Sequence, residues 1–269
     1  MRQKFMGAVA ALAVMAALVP VRANAQISDQ WQFSGTLYGY FPSIGGATKF
    51  PAGGTDVDVS ADKIIDSLKF VFMGTLTAQK GRWGAFTDVL YMDVGGTKSN
   101  TRDFNIDGRP LPVGASGTAN LDLKATVWTL AGSYRALAEP GTNVDIFAGA
   151  RLLDIKTTLN WQFTGNIDSI PVGARGGEKE ISKNFWDGVV GVKGRVGFGD
   201  ERRWFVPYYL DIGTGNSELT WQAMGGIGYS FGWGDAFAAY RYLDYKMKSG
   251  STIEDLSLSG PMIAAVFRW

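Results

Sequence analysis

The chain contains no cysteine and no histidine. The first absence rules out a lipid-anchored N-terminal cysteine, a disulfide framework and thiolate metal sites. The second removes the commonest catalytic base, so a serine or a carboxylate pair would need an unusual partner such as lysine. No Gly-x-Ser-x-Gly elbow is present, and the glycine-rich stretches carry no phosphate-loop pattern. Asp56, Asp58 and Asp62 do not have calcium-loop spacing. No catalytic residues, cofactor or metal are therefore expected. Charge of one sign is also lacking, with 26 basic and 25 acidic residues. That balance gives no electrostatic argument for nucleic acid.

Long apolar runs are missing too, with one exception at the start. Arg2 and Lys4 precede the apolar stretch Met6–Val19, and Ala23-Asn24-Ala25 follows as a small-x-small cleavage site. This pattern reads as a secretory signal over residues 1–25, with a mature chain of 26–269. The apolar run is shorter than the roughly 20 residues a spanning helix needs. Removing the three basic residues Arg2, Lys4 and Arg22 from 26 leaves 23 against 25 acidic ones. Every later apolar run is broken by charge or glycine, so membrane residence would require a closed barrel, which satisfies its own backbone polar groups.

The sequence is rich in glycine (36 residues) and aromatics (13%), with only 19% charged residues. These proportions fit twisted, turn-rich β structure. Period-two alternation marks ten segments: about 31–44, 65–79, 83–94, 120–137, 143–161, 184–198, 203–213, 218–231, 235–247 and 256–269. Three connections are long and polar, about 45–62, 95–119 and 164–182, and all fall at one end of an up-and-down meander. The short turns and both termini fall at the other. Such segregation is what an outer-membrane barrel shows, with short periplasmic turns and longer outer loops. The expected fold is all-β: a single antiparallel up-and-down transmembrane β-barrel of about ten strands, with eight as the alternative.

The final strand, Gly260–Trp269, alternates Ile263, Ala265, Phe267 and Trp269 onto one face. An end in Phe267-Arg268-Trp269 resembles the closing strand of bacterial outer-membrane barrels, whose last aromatic serves recognition by the barrel-assembly machinery. With the signal segment, the alternation and the loop asymmetry, the whole mature chain resembles the small Gram-negative outer-membrane barrels, the broad class that includes OmpW-like and opacity-type proteins. That resemblance implies residence in the outer membrane among lipid and lipopolysaccharide. It supplies no functional motif residue by residue, and ten strands departs from the eight usual in those two families. Outer-membrane phospholipases, lipid A deacylases, palmitoyltransferases and omptin proteases depend, as families, on a histidine that this chain lacks.

Two sets of charged residues stand out. Asp93, Asp154, Asp211 and Asp244 recur in similar contexts (Tyr-Met-Asp-Val, Leu-Leu-Asp-Ile, Tyr-Leu-Asp-Ile, Tyr-Leu-Asp-Tyr) near the outer end of their strands. Alternation puts each beside Tyr91, Leu152, Tyr209 or Tyr242, which suits an outward aromatic girdle at the outer rim; a carboxylate ring at a pore mouth is the sharper alternative. Arg151 and Arg241 fall on the opposite face. An arginine facing lipid at the midplane costs about 2–4 kcal/mol, so both are expected inside. Lys69, Asp88, Asp145, Asp187, Lys193 and Arg195 alternate onto the same lumen face. Mixed charge in so narrow a barrel favours a salt-bridged plug over a water-filled conduit.

The sequence thus points to a non-enzymatic outer-membrane scaffold that shows its loops outside. The alternative is a narrow pore for small solutes; a secreted soluble β-barrel that binds a ligand is the remote one. Partners follow accordingly: lipid and lipopolysaccharide, the assembly machinery, and a small solute or a loop-binding partner.

Overall fold

A computed structural model describes residues 29–48, 55–59, 68–95, 99–100, 105–106, 109–110, 115–167, 170–249, 251 and 253–269. The expected signal segment, with Ala23 and Ala25, lies outside the described residues. The strands in order are β1 (Gln32–Tyr40), β2 (Ser43–Thr48), β3 (Thr55–Val59), β4 (Leu68–Lys80), β5 (Trp83–Gly95), β6 (Ser99–Asn100), β7 (Asn105–Ile106) and β8 (Arg109–Pro110). They continue with β9 (Ala115–Glu139), β10 (Thr142–Ile167), β11 (Ile170–Phe198), β12 (Trp204–Gly215), β13 (Ser217–Ser230), β14 (Asp235–Met247) and β15 (Ile253–Arg268).

Ten of these strands form the wall, each antiparallel to its sequence neighbour, from β1 through β4, β5 and β9 to β15. The wall closes where β15 pairs back with β1, from Ser34 opposite Arg268 to Tyr40 opposite Met262. Closure leaves the wall without an edge, and the end of the chain secures it: the backbones of Phe33 and Trp269 exchange hydrogen bonds of 3.0 and 3.1 Å. β2 extends β1 beyond Phe41-Pro42 and also pairs with β15.

The turn end is tight. Gly81 and Gly141 take φ of 60° and 72°, a left-handed conformation that L side chains resist. At the other end three expected loops carry further strand. β2 and β3 pair within the first, and β6–β8 fall within the second. The third, about 164–182, is mostly continuous hairpin: β10 runs to Ile167 and β11 starts at Ile170. Its backbone hydrogen-bonding continues past the barrel rim, which short-range turn signals did not disclose. From Ile155 to Ile167 this adds roughly 40 Å of extended chain at about 3.3 Å per residue. With β9, the hairpin makes a three-stranded ribbon above the wall.

Alternation sorts the side chains. Leu37, Leu76, Leu130, Ile146, Val190 and Ile263 point outward and are exposed, forming an apolar band. Two aromatic girdles flank it. At the turn end Trp83 meets Tyr134, and Trp204 meets Tyr229, both with ring centroids 5.0 Å apart. At the loop end Trp221 stacks on Tyr242 at 4.8 Å and Trp128 meets Trp186 at 6.0 Å. A band bounded by two girdles is the exterior that lipid and its two interfaces select. A soluble barrel would be left with a large exposed apolar surface.

Candidate functional site: the barrel lumen

The inward face divides into two zones. Toward the loop end it is apolar: Leu90 from β5, Val127 from β9, Leu153 from β10, and Leu243 and Tyr245 from β14 are all fully buried. Tyr40, Met73, Met92, Met247, Leu258 and Met262 complete the same cluster. Side chains from around the wall meet across the axis, so this half is a packed core, as narrow barrels permit.

Below it lies a layer of ion pairs. Arg151 and Asp211 are both 0% exposed. The guanidinium donates to both carboxylate oxygens of Asp211, at 3.0 Å to Oδ1, and its Nε donates to Thr129 Oγ1 at 3.2 Å. Arg241 donates to Asp88 Oδ2 at 3.3 Å, Gln222 Oε1 at 2.9 Å and the Tyr38 hydroxyl at 3.1 Å. Asp88 also accepts from Thr75 at 2.6 Å and from Tyr38 at 3.0 Å. Asp187, equally buried, accepts from the Ser217 amide at 2.8 Å. Arg151 and Arg241 are thus paired with carboxylates, as buried charge requires, whereas Asp187 Oδ2 and Arg241 Nε are buried without a hydrogen-bond partner.

Nearer the turn end are two more clusters. Arg135 binds Asp145 in a fork at 2.8 and 3.0 Å, with Asn143 adding 3.1 Å to Oδ2. Asp235 accepts from Arg195 at 2.9 Å, from Ser230 at 2.7 Å and from Arg268. Lys193 sits between these clusters, its ammonium 3.4 Å above the centre of the Phe86 ring. Phe86 in turn meets Phe147 edge-on at 5.1 Å, and Phe147 lies 5.1 Å from Tyr209. A side chain at Gly191 would press against Phe147, with an added Cβ 2.6 Å from its ring, so glycine there makes room for the aromatic wall.

Of the candidate lumen residues, Asp88, Asp145, Arg151, Asp187, Lys193, Arg195 and Arg241 stand inside. Asp88, Asp145, Arg151, Arg195 and Arg241 are divided among separate ion pairs, while Asp187 and Lys193 have no salt bridge among the described residues. The side chain of Lys69 lies outside the described residues. Among the acidic repeat, Asp93, Asp154 and Asp244 stand on the outer face; Asp93 pairs with Lys124 at 3.1 Å and Asp244 accepts from Tyr242 at 3.2 Å. Asp211 corrects the expectation. It points inward with Tyr209, because Trp204, Val206 and Ile212 claim the lipid side of β12 and a one-residue step reverses every side chain. Phe267 and Trp269 are outward and exposed at the turn end.

Arg135, Asp235 and Arg268 were not anticipated. Arg135 is brought opposite Asp145 by a bulge at Val144/Asp145, which simple alternation cannot show. Asp235 opens its strand and looks like a turn residue, and Arg268 looks like part of the terminal motif. Tyr38 and Gln222 could have been found, since both fall on the inward parity of β1 and β13. Among the described residues no group of three or more acidic side chains is arranged to hold a metal ion.

No family model matches the chain, and no curated protein does. Some solved structures are distantly similar to it. The outer-membrane protease OmpT of Escherichia coli is 10% identical, with 90% of this chain and 97% of that one covered, at a TM-score of 0.49. The translocator domain of the autotransporter NalP of Neisseria meningitidis is 12% identical over 99% and 96%, at 0.39. Ail, the attachment invasion locus protein of Yersinia pestis, is 11% identical over 90% and 99%, at 0.32.

Proposed function

We propose that the chain, which has the fold and the apolar exterior of an outer-membrane β-barrel, works as a closed, non-enzymatic scaffold that holds a β-ribbon outside the cell. The observation behind this reading is the apolar half of the lumen, where Leu90, Val127, Leu153 and Leu243 are all fully buried. Ions cross such a packed zone only if it opens. The absence of histidine supports a role without catalysis, since it removes the side chain used most often as a general base. The ribbon of β9, β10 and β11 gives the scaffold a surface to present, and lipopolysaccharide is its nearest neighbour in this setting. Phe267 and Trp269 serve in recognition by the assembly machinery.

A second reading has its own observation. Toward the turn end the lumen loosens, and Lys193, Arg195 and Tyr209 are only partly buried. A solute could enter from that side if the apolar half moved. Liposome swelling separates the two readings. Vesicles carrying the refolded protein stay osmotically tight to small sugars and amino acids if the barrel is a closed scaffold. Swelling above that of empty vesicles would favour the transport reading.

A further inference from the structure

The charges at the turn end of the lumen do not balance. Arg135, Lys193, Arg195 and Arg268 share that zone with Asp145 and Asp235, and both carboxylates are committed elsewhere. Asp145 faces Lys193 directly across the β10–β11 ladder, yet its two oxygens bind Arg135 and Asn143. Asp235 is held by Arg195, Arg268 and Ser230. Higher up, Asp88 is taken by Arg241, Tyr38 and Thr75, and Asp211 by Arg151. Among the described residues no salt bridge reaches the Lys193 ammonium, which rests on the Phe86 ring.

A cation removed from bulk water is expensive unless it is paired. A ring face recovers about 0.5–2 kcal/mol and leaves the charge uncancelled. The space around Lys193 is not sealed, because the side chain keeps partial exposure inside the barrel. The surroundings combine one uncommitted ammonium, an aromatic wall of Phe86, Phe147 and Tyr209, and two neighbouring guanidiniums. That is a reception site for negative charge.

We propose that Lys193 anchors a binding site for a small oxyanion, a carboxylate or a phosphate, reached from the periplasmic end of the lumen. The site stands apart from the closed-scaffold reading, since an anion can approach Lys193 from the turn end whether or not the apolar half opens. Tyr209 lies beside Lys193 on β12 and faces the same space. Arg135 and Arg195 add positive potential without giving up their own carboxylates.

The test uses the refolded protein in detergent micelles, at constant ionic strength with chloride as the background anion. Inorganic phosphate and acetate are titrated separately while the lysine side-chain nitrogen resonances are recorded, with Lys193 assigned by its loss in Lys193→Gln. A saturable shift confined to Lys193 is expected, with the surface residues Lys246 and Lys248 unmoved. The urea midpoint should also rise with anion concentration in the wild type and in Lys193→Arg but not in Lys193→Gln, whose affinity should fall at least about tenfold. A stronger response to phosphate identifies an oxyanion bridging Lys193 to a guanidinium; equal responses identify a carboxylate held by Lys193 alone. A shift that is linear in concentration and shared by all lysines would overturn the site. So would a Lys193 resonance that neither anion moves.

Discussion

The two halves of the lumen are filled in different ways. The loop half is filled by leucine, methionine and tyrosine, which lose little by leaving water and gain from contact. The turn half is filled by arginines locked to aspartates, where each charge depends on its partner. An apolar plug tolerates a lost side chain by leaving a cavity. An ionic plug does not tolerate a lost partner, because the survivor stays buried and charged. The contrast also has a functional edge: the first half closes the barrel, and the second leaves Lys193 with charge to spare.

Mutations can break or sharpen this contrast. The largest effect is expected from Arg151→Met, which strands Asp211 and should cost about 3–5 kcal/mol in urea unfolding from micelles. Adding Asp211→Leu should restore most of that loss; a double variant no better than the single one would mean that the charge pair is not what matters. In the apolar half, Leu153→Ala should cost about 2–5 kcal/mol, with no single partner change able to rescue it. On the outside, Leu130→Arg places charge against the hydrocarbon layer and should cost about 2–4 kcal/mol, measured in lipid vesicles. Smallest is Lys246→Ala, which removes an exposed pair with Glu218 and should change stability by no more than about 1 kcal/mol.

Much of the wall was legible in the sequence, because a strand in a membrane barrel must alternate and the lipid side must be apolar. Trp186, Val190, Val196 and Phe198 therefore mark the outer face of β11 without ambiguity. β12 was harder. Tyr208, Tyr209 and Leu210 suit either face, so the Leu-Asp-Ile motif alone suggested the wrong side for Asp211. Its partner Arg151 lies two strands away, and parity within one strand cannot reveal a contact across the lumen. The same limit hid the bulge that aligns Arg135 with Asp145. It also hid the division of the interior into an apolar half and a charged half, which depends on the heights of residues from many strands at once. The ribbon was read as a loop because its residues Thr164–Ser182 are rich in glycine and charge, while the hydrogen-bond ladder that orders them is set by the paired strands below.

The most direct test of a barrel closed by its apolar half is single-channel recording in a planar bilayer, with folding checked by circular dichroism. The wild type and Arg151→Ala/Arg241→Ala should both be silent, because the packed zone above the ion pairs remains, while Leu90→Ala/Leu153→Ala/Leu243→Ala should show discrete steps. Steps from the folded wild type, altered in size or ion selectivity by the arginine variant, would contradict the account and make the charged layer the lining of a working pore.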